Sequence, residues 1–305
     1  MPSPRPLDRR SFLHTAGATL AAAGALSSGA NSLADGTAKT MKKAVKWGMI
    51  QIDGSVLDKF KLMKELGFDG MELDAPNSLD KSEVLRARDE TGLPIHGVVD
   101  SVHWNDTLSH PDAAVRAKGV KALEQALRDS KTYGGTTVLL VAGKVERGRV
   151  SYADVYKRSQ EEIRKALPLA GELNIKIAIE NVWNDFLLSP IEEARYIDEF
   201  ESPYVGAYFD VGNVMRYGYP EDWIRVLGKR ILKVDIKEFS LKKMREEGLG
   251  KGFGVELLEG DNDWHAVMTA FREIGYHGWA TAEIPGGGRE RLQKIALLMD
   301  KIFAS

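Results

Sequence analysis

The two stretches Lys176-Ile177-Ala178-Ile179-Glu180-Asn181 and Val205-Gly206-Ala207-Tyr208-Phe209-Asp210 decide the fold. Both alternate outward apolar residues with others at a spacing of two and both carry a carboxylate at or next to their end, the pattern of a short strand with two unlike faces. Between them, 190–200 reads as a helix opened by Pro, long enough to carry the chain back so that the second strand runs parallel to the first. The same strand–helix unit extends in both directions and is counted eight times after residue 42. The strands are expected at 46–51, 70–73, 94–100, 137–142, 176–181, 205–210, 231–237 and 278–284. Helices are expected at 55–66, 82–90, 112–133, 152–173, 190–200, 221–227, 263–274 and 290–303. Leu66-Gly67-Phe68-Asp69-Gly70 and Ile274-Gly275-Tyr276-His277-Gly278 are one helix-to-strand turn used twice, with Gly at the helix exit. No linker or change of composition divides 42–305, so the fold is an α/β class, single (β/α)8 TIM barrel. A doubly wound open sheet is the competing arrangement, but its Gly-rich first turn is missing from Gln51-Ile52-Asp53-Gly54-Ser55.

Composition narrows the function. The 305 residues are 43% hydrophobic and 28% charged, which suits a globular protein and argues against disorder. With 42 Lys+Arg against 44 Asp+Glu, the chain has no general attraction for nucleic acid or anionic lipid. It contains no Cys, so any metal must be held by O or N ligands. Residues 1–34, with Arg9-Arg10-Ser11-Phe12-Leu13 followed by an Ala- and Gly-rich run, resemble a bacterial twin-arginine signal. That resemblance implies the twin-arginine export machinery as a partner and a periplasmic location.

In a barrel of this kind the chemistry lies where the strands end, and alternation tells which side chains face inward. With Ile175, Ile177 and Ile179 outward, Glu180 is inward at the rim. With Val205, Ala207 and Phe209 outward, Asp210 is inward; with Leu232, Val234 and Ile236 outward, Lys233, Asp235 and Lys237 are inward; with Ala280 and Ala282 outward, Glu283 is inward. Four successive strands therefore deliver Glu180, Asp210, Asp235 and Glu283 to one volume, where they must either take up protons or be neutralised by a cation. Pairing with an inward Lys such as Lys237, or capping of the next helix, would account for any one of them singly. Equivalent positions on four strands favour a divalent ion, and all-oxygen ligation favours a hard one, Mn²⁺ or Mg²⁺. Around this group, His96 and His103 offer donors, Trp183 an aromatic face, Asn213 a neutral amide and Lys237 a positive charge, each with a purely structural role as its alternative. Pro285-Gly286-Gly287-Gly288-Arg289 sits where some barrels bind phosphate, or is simply a flexible loop.

Ile177-Ala178-Ile179-Glu180-Asn181, Gly206-Ala207-Tyr208-Phe209-Asp210-Val211-Gly212-Asn213 and Glu259-Gly260-Asp261-Asn262-Asp263-Trp264 together resemble the xylose-isomerase-like sugar isomerase/epimerase superfamily, and within it ketose 3-epimerases and hydroxypyruvate isomerase. The resemblance implies one divalent ion held by residues matching Glu180, Asp210 and Glu283, with Glu180 and Glu283 also moving protons through an enediolate. The family's third ligand is a His in a Val-His-x-Lys-Asp-like strand, where this chain has Val234-Asp235-Ile236-Lys237-Glu238. The implied activity is epimerisation or isomerisation of a ketose. Elimination from a 3-keto-glycoside by the same first step and a non-catalytic sugar-binding barrel are the alternatives, and homo-oligomerisation is left open. An apurinic-site endonuclease on the same barrel would need several zinc-binding His residues and a basic face.

Overall fold

Strand β1 (Lys42–Lys46) pairs in parallel with both β2 (Gly70–Ala75) and β8 (Trp279–Ala282), and that double pairing closes the sheet. Between them β3 (Ile95–Asp100), β4 (Thr137–Leu140), β5 (Lys176–Glu180), β6 (Val205–Asp210) and β7 (Ile231–Ile236) follow in chain order around the ring. The computed structural model describes residues 41–305, so the signal reading of 1–34 lies outside the described residues. Eight helices return the chain or close it: α1 (Val56–Glu65), α2 (Lys81–Thr91), α3 (Ala113–Tyr133), α4 (Tyr152–Leu173), α5 (Pro190–Asp198), α7 (Pro220–Leu227), α9 (Trp264–Glu273) and α10 (Arg289–Phe303). Two shorter ones, α6 (Val211–Val214) and α8 (Leu241–Glu247), interrupt the loops after β6 and β7.

Local chemistry explains the boundaries. Ser55 and Ser151 form reciprocal capping boxes with Asp58 and Asp154 at the starts of α1 and α4. The repeated exit turn is real: Gly67 (φ 81°) and Gly275 (φ 70°) adopt the left-handed conformation, and the amides of Phe68 and Tyr276 reach back to the Met63 and Phe271 carbonyls. Outward strand residues such as Val45, Ile177, Phe209 and Val234 fill the layer against the helices. Inside the ring a smaller cluster of Leu139, Ala178 and Tyr208, with Val99 and Leu232, plugs the barrel.

Three expectations need correction. The first strand is not 46–51 but Lys42–Lys46, and Trp47–Met49 is a 3-10 turn. A strand with three lysines in five residues is viable because Lys43 is buried against Asp300 (2.7 Å) and the Ala296 carbonyl (3.1 Å) on α10, while Lys42 lies over Trp279. Leu232 packs inside rather than outside, because the register between β6 and β7 passes from Ala207↔Ile231 to Tyr208↔Lys233 and skips it. The helices α6 and α8 were not anticipated; α6 is four residues long, set off when the Asp210 side chain caps its first turn.

One group in the helical layer is anomalous. Glu193 on α5 is fully buried, and neither carboxyl oxygen has a hydrogen-bond partner. Burial pushes its pKa up from 4.5 to about 8. The folded protein therefore keeps a proton that the unfolded chain releases, and stability is lost progressively as pH rises from about 4.5 to about 8. Replacing Glu193 by Met is expected to stabilise the protein by roughly 2–4 kcal/mol at pH 8 and much less at pH 5. Thermal melts of both proteins at the two pH values check this, and an equal gain at both would remove the carboxyl as the cause.

Candidate active site

Each of the four sequence-predicted carboxylates lies within one residue of the end of its strand, and the structure brings them together. One ligand-type oxygen from each of Glu180, Asp210, Asp235 and Glu283 lies within 4.8 Å of the others. Asp210 and Asp235 are direct neighbours in the β6–β7 ladder.

Two lysines complete the group. Lys237, just beyond β7, puts Nζ 2.7 Å from Asp210 Oδ2 and 2.5 Å from Glu283 Oε2. Lys46, the last residue of β1, donates to Asp235 Oδ2 and Glu283 Oε1, each at 2.8 Å. Sequence reasoning missed Lys46 because it was assigned to the wrong end of its strand. It also missed Glu72 on β2, which lies 4.0 Å from Lys46 and accepts from Tyr208 Oη at 3.0 Å. Met71 and Leu73 flank Glu72, so the period-two reading used on strands five to eight would have found it.

These surroundings set the protonation of the group. Burial raises Glu180 well above the usual carboxylate range, and the neighbouring Glu283 charge adds to this. Burial also raises Asp210, to about 7, with Lys237 opposing. Asp235 is raised by burial against the pull of Lys46. Glu283 goes the other way: burial alone would lift it, but Lys46 and Lys237 together hold it well below the usual range.

Asp210 is positioned with care. Asn181 donates through Nδ2 to the Asp210 carbonyl (2.9 Å) and accepts from the Asp210 amide (2.8 Å), while Oδ1 of Asp210 accepts from the Asn213 amide (2.8 Å). Asp210 Oδ2 and Glu283 Oε2 are met by the single Lys237 ammonium, and Asp235 Oδ1 is buried with no partner. Glu180 accepts no side-chain hydrogen bond among the described residues. Four carboxylates from successive strands within 4.8 Å of one another, more of them than the two lysines neutralise and one with an unpartnered oxygen, fit a hard divalent cation.

The remaining sequence candidates fall into two groups. Asn213 is buried beside Asp210, with Nδ2 on the Asn181 carbonyl (3.0 Å) and Oδ1 3.4 Å from Lys237. His103 is close enough to feel the Lys46 and Glu283 charges; its Nδ1 accepts from the Val141 amide (3.2 Å) and burial brings its pKa down to about 4. The ring is thus neutral at pH 7 with its proton on Nε2. His96, by contrast, lies deeper, stacked on Trp279 at 4.8 Å and linked through Thr281 and Tyr208 to Glu72. Trp183 donates to the Asn213 carbonyl (2.9 Å) and packs against Phe239 and Phe253, so part of its surface is occupied by the loop after β7.

That loop is anchored by Glu238. Its carboxylate accepts from the amides of Phe239 (3.1 Å), Leu258 (2.8 Å) and Asn262 (3.3 Å) and from Trp264 Nε1 (2.8 Å). The Glu259–Trp264 motif is explained by this contact, because a Cβ on Gly260 would stand 2.4 Å from Glu238 Oε1. Asn262 also donates to the Lys237 carbonyl at 2.9 Å.

A closed barrel that gathers its acidic residues at the carboxyl ends of β5 to β8 defines a class of protein as well as a shape. The family model described as xylose isomerase-like TIM barrel matches residues 60–301, and the chain belongs to that family. L-ribulose-5-phosphate 3-epimerase UlaE of Escherichia coli (strain K12) is 24% identical over 249 residues, covering 75% of this chain and 84% of that protein. Among solved structures, 3-keto-D-glucoside 4-epimerase YcjR from E. coli superposes with a TM-score of 0.71 at 19% identity, over 87% of this chain and all of that one. The IOLI protein with a bound zinc atom gives 0.71 at 15%, over 87% and 98%.

Asn181 is the most economical probe of the geometry. Asn181→Ala removes both bonds to the Asp210 backbone and is expected to cost about 1–3 kcal/mol in denaturant unfolding. A melt indistinguishable from wild type would show that Asp210 is held by other means.

Proposed function

We propose that the protein is a divalent-metal-dependent sugar epimerase or isomerase that acts on an unphosphorylated ketose. The single observation that carries this reading is the convergence of four carboxylates, outnumbering the lysines beside them, at the mouth of a barrel of this family. Its similarity to a ketose-phosphate 3-epimerase supports the reaction class.

Glu180, Asp210, Asp235 and Glu283 would hold the ion, with Mn²⁺ or Mg²⁺ favoured by the all-oxygen ligand set. When bound, the ion offsets the excess negative charge and withdraws electron density from the substrate carbonyl. The proton chemistry belongs to Glu180 and Glu283, which project from β5 and from the end of β8, three strand positions apart around the ring. One carboxylate takes the proton from the carbon beside the carbonyl. The C–H electron pair becomes the new C–C double bond, the carbonyl pair moves to oxygen, and an enediolate results. The other carboxyl returns a proton to the opposite face, and the pair resets by exchange with water. In the ion-free site their environments push them apart, Glu180 upward and Glu283 downward, so the two carboxyls are chemically unlike before any ion binds. In one direction Glu283 takes and Glu180 gives; in reverse the roles exchange. The Nε2–H of neutral His103 and the ammonium of Lys237 would bind substrate oxygens.

The neutral substrate is supported by the loop after β8. Gly287 donates its amide to the Met49 carbonyl and accepts from Gln51, both at 3.0 Å. Arg289 pairs with Glu65, while Arg291 and Lys294 pair with Glu256. The Gly287 amide and the basic side chains nearest this loop are thus already engaged within the protein. The twin-arginine pattern at Arg9-Arg10 supports export to the periplasm, where free sugars are the available substrates; fractionation of cells making the full chain tests it.

Incubating the enzyme with Mn²⁺ in D₂O and a panel of free ketoses, ketose 5-phosphates and 3-keto-glycosides is expected to give deuterated epimer or aldose from a free ketose. Higher kcat/KM on the phosphorylated sugar would overturn the neutral substrate, and an unsaturated product from a keto-glycoside would make the enzyme a lyase. In the same assay Glu180→Gln and Glu283→Gln are each expected to lower deuterium incorporation by at least 10²-fold with folding retained, consistent with loss of a general acid–base group. Exchange near the wild-type rate in either variant would remove that residue from proton transfer.

A further inference from the structure

The mouth of the barrel already holds cations of its own. Lys46 and Lys237 approach the acidic group from β1 and from the end of β7, and each has 17% of its side chain exposed. Their contacts divide the carboxylates in a regular way. Lys46 takes Oδ2 of Asp235 and Oε1 of Glu283; of the oxygens it leaves, Glu283 Oε2 lies 2.5 Å from Lys237 Nζ and Asp235 Oδ1 has no partner. Counted as fully ionised, the four carboxylates outnumber the two ammonium groups by two, and Glu72, 4.0 Å from Lys46, adds to the negative side.

We propose that Lys46 is a positioning residue that shares Asp235 and Glu283 with the divalent ion, fixing which oxygen each presents and holding the affinity of the site down so that the ion stays exchangeable. The proposal rests on the reading of the mouth as a divalent-ion site. A fixed positive charge beside the ligands repels an incoming cation, and burial leaves that repulsion poorly screened. At the same time it relieves the mutual repulsion of the acids, so the ligand set is assembled before any ion arrives. Asp235 and Lys46 therefore act as one unit of zero net charge, contributing a ligand oxygen without adding a charge to the site.

The test is calorimetric titration of Mn²⁺ into the chelator-treated full chain, for the wild type, Lys46→Met, Asp235→Asn and the double variant, with thermal melts alongside. Lys46→Met is expected to bind Mn²⁺ at least tenfold more tightly and Asp235→Asn at least tenfold more weakly. The double variant, which removes a neutral pair, is expected within about threefold of wild type. A wild type that binds Mn²⁺ while Lys46→Met binds it equally or more weakly overturns the role of Lys46 and leaves the metal site standing. A wild type that binds no Mn²⁺ overturns both. If Lys46→Met alone does not fold, the double variant decides: affinity near wild type supports the neutral unit, and a hundredfold loss refutes it.

Discussion

Mutual repulsion among buried carboxylates is the constraint around which this barrel is arranged. Glu180, Asp210 and Asp235 are almost completely withdrawn from water and Glu283 is partly so, and their oxygens crowd into a space a few ångströms across. Such an arrangement persists only where counter-charge is supplied. The chain supplies part of it through Lys46 and Lys237 and leaves room for the rest. That division separates the four groups chemically: Glu283, gripped from two sides, is held as an anion, while Glu180 has no such partner.

Below the mouth the barrel interior changes character in layers. A chain of hydrogen bonds runs from His96 through Thr281 and Tyr208 to Glu72, and Glu72 faces Lys46. Beneath and beside it Leu139, Ala178 and Leu232 exclude water. The lower layers thus provide a dry, hydrogen-bonded floor, which keeps the charges above it in an environment of low polarisability.

Most of this was legible in the sequence wherever one periodicity applied without interruption. Strands five, six and eight alternate cleanly, so Glu180, Asp210 and Glu283 could be oriented from Ile177, Phe209 and Ala282 alone. The method failed where a side chain's partner lay far along the chain. Lys43 looks unfit for a strand until Asp300 is seen beside it, and with β1 displaced, the inward position of Lys46 was lost. Leu232 was misread because a register irregularity between two strands leaves no trace in either one alone. For Trp183 an aromatic face for a ligand and packing between loops stood side by side, because nothing in its own neighbourhood announces that Phe253, seventy residues on, packs against part of it.

Glu238 ties four donors from a span of more than twenty residues to the position immediately after Lys237. The excursion between β7 and α9 is consequently gathered at its base by one carboxylate, with Phe253 on Trp183 and Glu256 on Arg291 and Lys294 as outlying ties. Its middle, including α8, can be lengthened, shortened or exchanged between related barrels without disturbing the acidic residues, provided Gly260, Asn262 and Trp264 still return to that carboxylate. A lineage could thereby remodel the roof over its substrate while the machinery underneath stays untouched.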